Sequence, residues 1–149
     1  MNNILDNGEG DYRSKVLFAK FLTERGFYDI QTTMKGWYWD LEAMKDGVQY
    51  YFEIKDRRPR FASDTKGDSI IETLKFDNIM KECPEPKKMY IVNIFTDNKI
   101  AIFPLLSEHH LEDHLARKTY YWGGNIVPKT FVSYLNRPPY IYDYETGSN

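Results

Sequence analysis

The chain has 149 residues, 42% of them hydrophobic and 16% aromatic, which is enough for one domain with one core and no need of disulfides or a structural metal. Its single cysteine, Cys83, excludes an internal disulfide framework and is typical of a reducing cytoplasm. A net charge of −2 excludes general attraction to polyanions. The polar residues 1–10 do not resemble a secretory signal, and no apolar run approaches membrane-spanning length. We therefore expect a cytoplasmic protein without membrane contact.

The first predicted element is a helix from Asp11 to Arg25. Its apolar residues recur at helical spacing, and Gly26 stands where a C-cap glycine belongs. The segment from Phe27 to Thr33, rich in aromatic and β-branched residues, then predicts a short strand. We therefore expect the chain to open with a helix followed by a strand.

A β-hairpin is the clearest prediction of the whole chain. Residues 37–44 and 48–55 are β-rich and are joined by a turn that contains Asp46-Gly47, a strong hairpin signal. If these two residues form the turn, Lys45 pairs with Val48. Counting outward along both strands then brings Asp40 opposite Glu53.

Alternation along the hairpin predicts one core face and one polar face. The predicted core face holds Trp37, Trp39, Leu41, Ala43, Val48, Tyr50, Phe52 and Ile54. The predicted polar face holds Asp40, Glu42, Tyr51, Glu53 and Lys55. Two carboxylates directly opposite each other destabilise a hairpin unless a cation compensates them, so this pair indicates a site and not only a solvated surface.

A loop and a second helix follow the hairpin. Residues 56–67 contain proline and glycine and predict a basic loop. Ser69-Ile-Ile-Glu72 matches a capping box, so the helix is predicted to start there and to end before Pro84. The predicted apolar stripe of this helix consists of Ile71, Leu74, Phe76, Ile79 and Met80.

The last third of the chain is less strongly patterned. Residues 88–95 and 99–103 predict a strand pair about an Asp-Asn turn. A third helix is predicted from Ser107 to about Lys118, and a short strand or helix over residues 130–135. Residues after Pro138 are expected to form a loose tail.

The polar face of the hairpin suits metal-assisted hydrolysis of a phosphodiester. Mg²⁺ or Mn²⁺ prefers carboxylate and carbonyl oxygens and leaves positions for water and phosphate. Asp40, Glu53 and the backbone carbonyl of Ile54 are the candidate metal ligands. Lys55 projects from the same face as Glu53, where its ammonium group is either an electrostatic partner of the phosphate or a general base.

The helix, the three strands with Asp40 and Glu53-x-Lys55, the second helix and the further strand resemble the PD-(D/E)XK, or restriction-endonuclease-like, nuclease superfamily. The resemblance covers about residues 11–104. It implies an α/β fold with an αβββαβ core, a mixed central sheet flanked by helices, and a nuclease-like domain extended by residues 105–137 and a tail at 138–149. It also implies metal-binding and catalytic roles for Asp40, Glu53 and Lys55.

Two positions depart from the family pattern. Trp39 stands in place of the proline before Asp40, a variation that the superfamily tolerates. Many members carry a glutamate in the first helix, where this chain has Lys15, with Asp11 one turn earlier as a candidate substitute. Two hypotheses follow: a metal-dependent nuclease, or a nuclease fold that has lost catalysis and serves as a DNA-binding or assembly module in a phage or mobile element.

Basic residues near the site predict contacts with a nucleic-acid backbone, and DNA is the expected nucleic acid. They are Arg57, Arg58, Arg60 and Lys66 in the loop after the Lys55 strand, and Lys75 on the second helix. An ordinary charged loop and a solvent-facing lysine are the alternatives. Because many superfamily members work as dimers, a homodimer is a further expectation.

Overall fold

A computed structural model describes residues 12–33, 38–56, 68–105, 110–118, 126–133 and 140–143 of the chain. These residues form a mixed α/β structure with two helices, a six-stranded mixed sheet and a separate three-stranded antiparallel sheet. In chain order the elements are α1 (Tyr12–Glu24), β1 (Tyr28–Thr32), β2 (Leu41–Lys45), β3 (Val48–Asp56), β4 (Asp68–Glu72), α2 (Thr73–Glu82), a 3₁₀ turn (Pro86–Lys88), β5 (Met89–Ile94), β6 (Lys99–Pro104), β7 (His110–Lys118), β8 (Ile126–Ser133) and β9 (Tyr140–Asp143).

Helix α1 ends as its sequence predicts. Gly26 adopts a φ of 90°, a left-handed conformation that glycine accepts without strain. The N–H groups of Gly26 and Phe27 donate to the carbonyls of Thr23 and Leu22, both at 3.1 Å. This Schellman pattern satisfies the last carbonyl groups of the helix and turns the chain directly into β1.

The register of the central hairpin is confirmed. Strands β2 and β3 pair in antiparallel fashion from Leu41 opposite Phe52 to Lys45 opposite Val48. Asp46 and Gly47 have φ values of 50° and 77°, as the type I′ turn favoured by Asp-Gly requires. The strand starts at Leu41, four residues later than predicted, which changes how the preceding residues are oriented.

The larger sheet has the order β1-β2-β3-β5-β6-β9. The β3–β5 pair is parallel and the other pairs are antiparallel. A parallel pair requires a crossover connection, which β4 and α2 supply. The predicted strand pair of residues 88–95 and 99–103 is confirmed as β5 and β6, whereas residues 140–143, predicted as part of a loose tail, form the edge strand β9.

One helix covers each face of this sheet. The first cluster of buried residues joins α1 to the sheet and includes Phe18, Ala19, Phe21, Leu22, Ile30, Leu41, Ala43, Phe52, Val92, Ile94 and Ile100. The second joins α2 to the opposite face and includes Trp39, Tyr51, Ile79, Cys83, Met89, Ile91, Phe95, Ala101, Phe103 and Leu105. The sheet is therefore the middle layer of the protein, and both of its faces are buried.

The predicted division of the hairpin into a core face and a polar face is wrong in two respects. Tyr51, expected on the polar face, is buried in the cluster beneath α2. Trp39, expected beside Leu41, belongs to that same cluster and donates from Nε1 to Glu42 Oε1 at 3.0 Å. Strand alternation does not extend back to Trp39 because β2 begins at Leu41, and the crossover helix covers the face that a free hairpin would expose to water.

The start of the second helix was also predicted wrongly. Residues 68–72 form β4, which pairs with β8, and the helix begins only at Thr73. The two adjacent isoleucines of this segment favour a strand, and pairing with β8 outweighs the local capping signal. Leu74 and Met80, expected in the apolar stripe, are 59% and 36% exposed, whereas Ile79 is fully buried.

The predicted third helix is a strand. Residues 110–118 form β7, which pairs with β8 in a sheet ordered β4-β8-β7. The repeat of Leu111 and Leu115 fits a helix, but the β-rich sequence of β8 provides a partner for an extended chain. Residues 130–133 belong to β8, which resolves the open choice between strand and helix there. Neither helix of the described chain has the length and apolar character needed to cross a membrane.

The core beneath α1 yields a first prediction. Phe18 is completely buried and its ring contacts the rings of Phe21 and Phe52. Phe18→Ala is expected to lower the free energy of unfolding by about 3 to 5 kcal/mol, because it removes buried apolar surface and leaves a cavity. Urea denaturation measures this loss, with Val16→Ala as the control since Val16 lies on the same helix and is 41% exposed. Equal effects of the two substitutions would contradict the packing described above.

Candidate functional site

The hairpin brings Asp40 and Glu53 together at the start of β2. The backbone N–H of Asp40 donates to the Phe52 carbonyl at 2.9 Å, although Leu41 is already the partner of Phe52, so the pairing shifts by one residue at Asp40. The Asp40 side chain accepts a hydrogen bond at Oδ2 from the Ile54 backbone N–H at 2.7 Å. This bond fixes the Asp40 carboxylate beside β3, next to Glu53.

Glu53 is a buried carboxylate with two lysine partners. The residue is only 2% exposed. Lys75 Nζ lies 2.6 Å from Glu53 Oε2, and Lys55 Nζ lies 3.3 Å from the same oxygen. The other oxygen, Oε1, is buried and has no hydrogen-bond partner within the described structure. Because an unsatisfied buried oxygen is costly, Oε1 is the position at which a further cation or proton donor would be stabilised.

The two carboxyl groups differ sharply in acidity. Burial and the neighbouring charge of Glu53 raise the pKa of Asp40 from 3.8 to about 7. Burial also opposes ionisation of Glu53, but the charges of Lys55 and Lys75 outweigh it and hold the pKa of Glu53 below its ordinary value. Near neutral pH Glu53 is therefore ionised, while Asp40 is divided between its neutral and charged forms.

These groups fit an oxygen-binding divalent cation. Asp40 and Glu53 provide carboxylate oxygens, and the unsatisfied Oε1 provides a position without a competing hydrogen bond. Ile54 donates its N–H toward Asp40, and within a strand the carbonyl of a residue points to the same edge as its N–H. The Ile54 carbonyl is thus directed to the correct edge of β3 for a third ligand. In the described part of the chain no group of three His, Cys, Asp or Glu side chains gathers around one point, so such a site would use backbone and water oxygens as well.

Lys75 lies on the sheet-facing side of α2, whereas the sequence left a solvent-facing lysine as an alternative. It shares this side of the helix with Ile79, one turn later. The packing of Ile79 therefore directs Lys75 toward Glu53. The other predicted basic residues, Arg57, Arg58, Arg60 and Lys66, lie outside the described residues.

Sequence reasoning missed one polar residue on this face. In the parallel β3–β5 pair, Lys55 is opposite Asn93 and Glu53 is opposite Ile91, so Asn93 shares the face that carries Glu53 and Lys55. Asn93 is only 3% exposed. Its signal in the sequence was a single polar residue in the otherwise apolar strand Met89–Ile94. A buried amide at that point requires polar neighbours, which the site provides.

Helix α1 contributes lysine where the family resemblance implied an acid. Lys15 is 2% exposed and lies one turn before Phe18 and Ala19 on the buried side of the helix. The only acidic residue of α1, Glu24, is exposed at its C-terminal end. Asp11 lies outside the described residues. Within α1 itself, no acidic side chain adds to the pair formed by Asp40 and Glu53.

Comparison of the chain with protein-family models, with curated proteins and with solved structures found no match.

Proposed function

We propose that this protein is a divalent-metal-dependent nuclease that hydrolyses phosphodiester bonds, with DNA as the substrate and Mg²⁺ or Mn²⁺ as the cofactor. The observation that carries the proposal is the pair formed by the half-buried Asp40 and the buried Glu53, with its unsatisfied Glu53 Oε1. A protein selected for stability alone gains nothing from two adjacent carboxyl groups that are largely withdrawn from water, one of which has a pKa near 7. Adjacent carboxyl groups of this kind are characteristic of functional sites.

The proposed ligands are Asp40, Glu53 and the Ile54 carbonyl. When bound, the cation would supply Lewis-acid stabilisation of the phosphoryl oxygens and lower the pKa of a coordinated water. Lys55 holds an ammonium group 3.3 Å from Glu53 Oε2, where it is placed to neutralise charge on a phosphate. The Ile54 N–H holds the Asp40 carboxylate in its orientation and so preserves the shape of the site.

The order of elements supports the finer fold assignment within the same proposal. Helix α1, strands β1 to β3, helix α2 and strand β5 follow the αβββαβ order of the restriction-endonuclease-like core, with β4 of the smaller sheet inserted between β3 and α2. Helices α1 and α2 cover opposite faces of the larger sheet. The acidic residues lie at the start of β2 and within β3, as the PD-(D/E)XK resemblance implies. A cytoplasmic location fits the single reduced Cys83.

A cleavage assay tests the proposed function. The purified protein with Mg²⁺ or Mn²⁺ is expected to cut plasmid or linear DNA, and Lys55→Met is expected to lower the rate by about 100-fold or more, because it removes the charge placed for the phosphate. Glu42→Gln is the matched control, since Glu42 lies on the same hairpin and the amide oxygen still accepts from Trp39. Circular dichroism establishes that each variant is folded. Cleavage at the wild-type rate by Lys55→Met would overturn the assignment.

A second function is favoured by the double lysine contact of Glu53 and by the lysine at position 15, where the family resemblance implies an acid. The two contacts of Glu53 add positive charge where a cation-binding site needs negative charge, and Lys15 supplies no carboxylate. A nuclease fold without catalysis, acting as a DNA-binding or assembly module, would have this character. Calorimetric titration with Mn²⁺ separates the two functions, because heat that disappears in Asp40→Asn and Glu53→Gln supports the nuclease, whereas no binding to the wild type supports the module.

A further inference from the structure

The contact between Lys75 and Glu53 suggests a link between metal binding and substrate binding. We propose that Lys75 is an internal counter-ion of Glu53, which a divalent cation displaces and which is then available to bind a substrate phosphate. This inference rests on the proposed function and adds a regulatory element to the same site. The inference is based on the position of the Lys75 ammonium group, which lies 2.6 Å from Oε2 of the buried Glu53.

The position of Lys75 is set by the packing of α2. Ile79, one turn later on the helix, is fully buried against the sheet and belongs to the same cluster as Tyr51, the neighbour of Glu53 on the same face of β3. The helix therefore holds the base of the Lys75 side chain above Glu53. Interior packing of α2 therefore fixes the backbone position of Lys75, while its half-exposed side chain reaches the buried Glu53.

The charge balance indicates that one lysine ammonium group must move away from Glu53 when the cation binds. With both acids ionised, Asp40 and Glu53 carry two negative charges and Lys55 and Lys75 carry two positive charges, so the four groups sum to zero. A divalent cation at Oε1 would leave a net double positive charge in a poorly hydrated pocket. Charges a few ångströms apart interact strongly in such surroundings, so the ion competes directly with the lysines for Glu53.

Lys75 is the lysine that we expect the cation to displace. Lys55 is 26% exposed and lies on β3 only two residues from Glu53, so it stays on the strand of Glu53. Lys75 reaches Glu53 from another element with its whole side chain, which is 32% exposed. Its ammonium group can rotate into water without disturbing the buried Ile79.

The displaced ammonium group would remain beside the site, where the scissile phosphate must lie. A chain with a net charge of −2 has no general attraction to DNA, so a local cation near the metal contributes a large share of phosphate affinity. Without the metal, Lys75 is occupied by Glu53 and contributes little. DNA would thus be held firmly only by protein that already carries the cation.

Titration with Ca²⁺, used to hold the site without turnover, tests the first step. Isothermal calorimetry compares the wild type with Lys75→Gln, Lys75→Arg and Lys81→Gln, the last being an exposed lysine on the same helix. Lys75→Gln is expected to bind Ca²⁺ about tenfold more tightly, because the competing charge is gone. Lys75→Arg and Lys81→Gln are expected to bind as the wild type does.

Salt dependence of DNA affinity tests the second step. Binding of a short DNA duplex is measured at several salt concentrations, with Ca²⁺ and with a chelator. Lys75→Gln is expected to reduce the slope of log affinity against log salt by about 0.9 in Ca²⁺, the value for one phosphate contact, and to leave it unchanged in chelator.

The results of these two experiments distinguish failure of the proposed role of Lys75 from failure of the proposed metal site. Unchanged Ca²⁺ affinity in a folded Lys75→Gln, or an equal change of slope with and without Ca²⁺, would overturn the role of Lys75 while leaving the nuclease proposal intact. Absence of Ca²⁺ binding in both the wild type and Lys75→Gln would overturn the metal site itself. Binding that appears only in Lys75→Gln would support displacement, since it shows that the lysine excludes the ion.

Discussion

Replacement of Glu53 by glutamine is expected to destabilise the protein and to abolish binding of a divalent cation. The variant leaves Lys55 and Lys75 beside a buried neutral amide, and a charge that loses its buried partner costs several kcal/mol. Both ammonium groups keep partial access to water, so we expect the free energy of unfolding to fall by about 3 kcal/mol, at the lower end of that range. Urea denaturation at pH 7 measures the loss.

The control for this substitution is Glu42→Gln, on the facing strand of the same hairpin. Glu42 accepts from Trp39 Nε1, and the amide oxygen of glutamine preserves that bond. Its stability is expected to change by no more than about 0.5 kcal/mol. A Glu53→Gln variant as stable as this control would show that the lysine contacts contribute nothing to the folded state. Retained Mn²⁺ binding would show that Glu53 is not a ligand.

The Asp40–Glu53 pair could be predicted from the sequence because a two-residue turn determines the pairing of both strands that it joins. Asp46-Gly47 determines which residues of β2 and β3 face each other as far as Leu41 and Phe52. That register brings Asp40 beside Glu53 even though the pairing shifts by one residue at Asp40. No tertiary contact is needed for the inference. The helix end at Gly26 was accessible for the same reason, because a C-cap depends on residues adjacent in the chain.

The surroundings of the pair were not accessible in this way. The sequence alone described a solvated polar face, but α2 covers it, and so Tyr51 and Glu53 are both buried. That covering depends on the parallel crossover between β3 and β5, a contact distant in sequence. The contact of Lys75 with Glu53 follows from the same crossover, so the spacing of residues along α2 alone does not reveal it.

In the smaller sheet, pairing with a neighbouring strand outweighs the local sequence signals for a helix. Residues 69–72 match a capping box and residues 107–118 have helical spacing, yet β4 and β7 both pair with β8. The preference for a strand is created by the partner, so neither segment displays it alone. Local reasoning succeeds here where a turn or cap dictates geometry and fails where pairing across the sheet decides.

Removing the charge of Glu53 and removing the charge of Asp40 are expected to have opposite effects on the stability of the folded state. Glu53 has its pKa lowered by two lysines and stabilises the folded state when ionised. Asp40 has its pKa raised by burial and by Glu53, so its ionised form is the less stable one in the folded protein. Removal of the charge therefore weakens the fold at Glu53 and strengthens it at Asp40, although both changes remove a proposed ligand.

Asp40→Asn is accordingly expected to stabilise the metal-free protein at pH 8 by about 1 to 3 kcal/mol. The asparagine oxygen can still accept from the Ile54 N–H, and its amide group can donate to the unsatisfied Glu53 Oε1. Because the folded pKa of Asp40, about 7, lies above its ordinary value of 3.8, its stabilising contribution is complete below pH 3.8 and is lost as the pH rises to 7. Wild-type stability should therefore fall between pH 4 and 7 by up to about 1.4 kcal/mol per pH unit, a slope that Asp40→Asn removes.

Thermal or urea denaturation from pH 4 to 8, with and without Mg²⁺, tests the expectation against Asp46→Asn, an exposed acid in the turn of the same hairpin. That control should keep the wild-type pH dependence. Added Mg²⁺ should stabilise the wild type and Asp46→Asn by mass action but leave Asp40→Asn unaffected, because the proposed ligand is gone. A protein that becomes less stable at pH 8 on this substitution, yet still gains stability from Mg²⁺, would contradict both the charge assignment of Asp40 and its place in the metal site. Stabilisation together with loss of the Mg²⁺ response would instead mean that the folded state retains a destabilising carboxylate because the cation requires it.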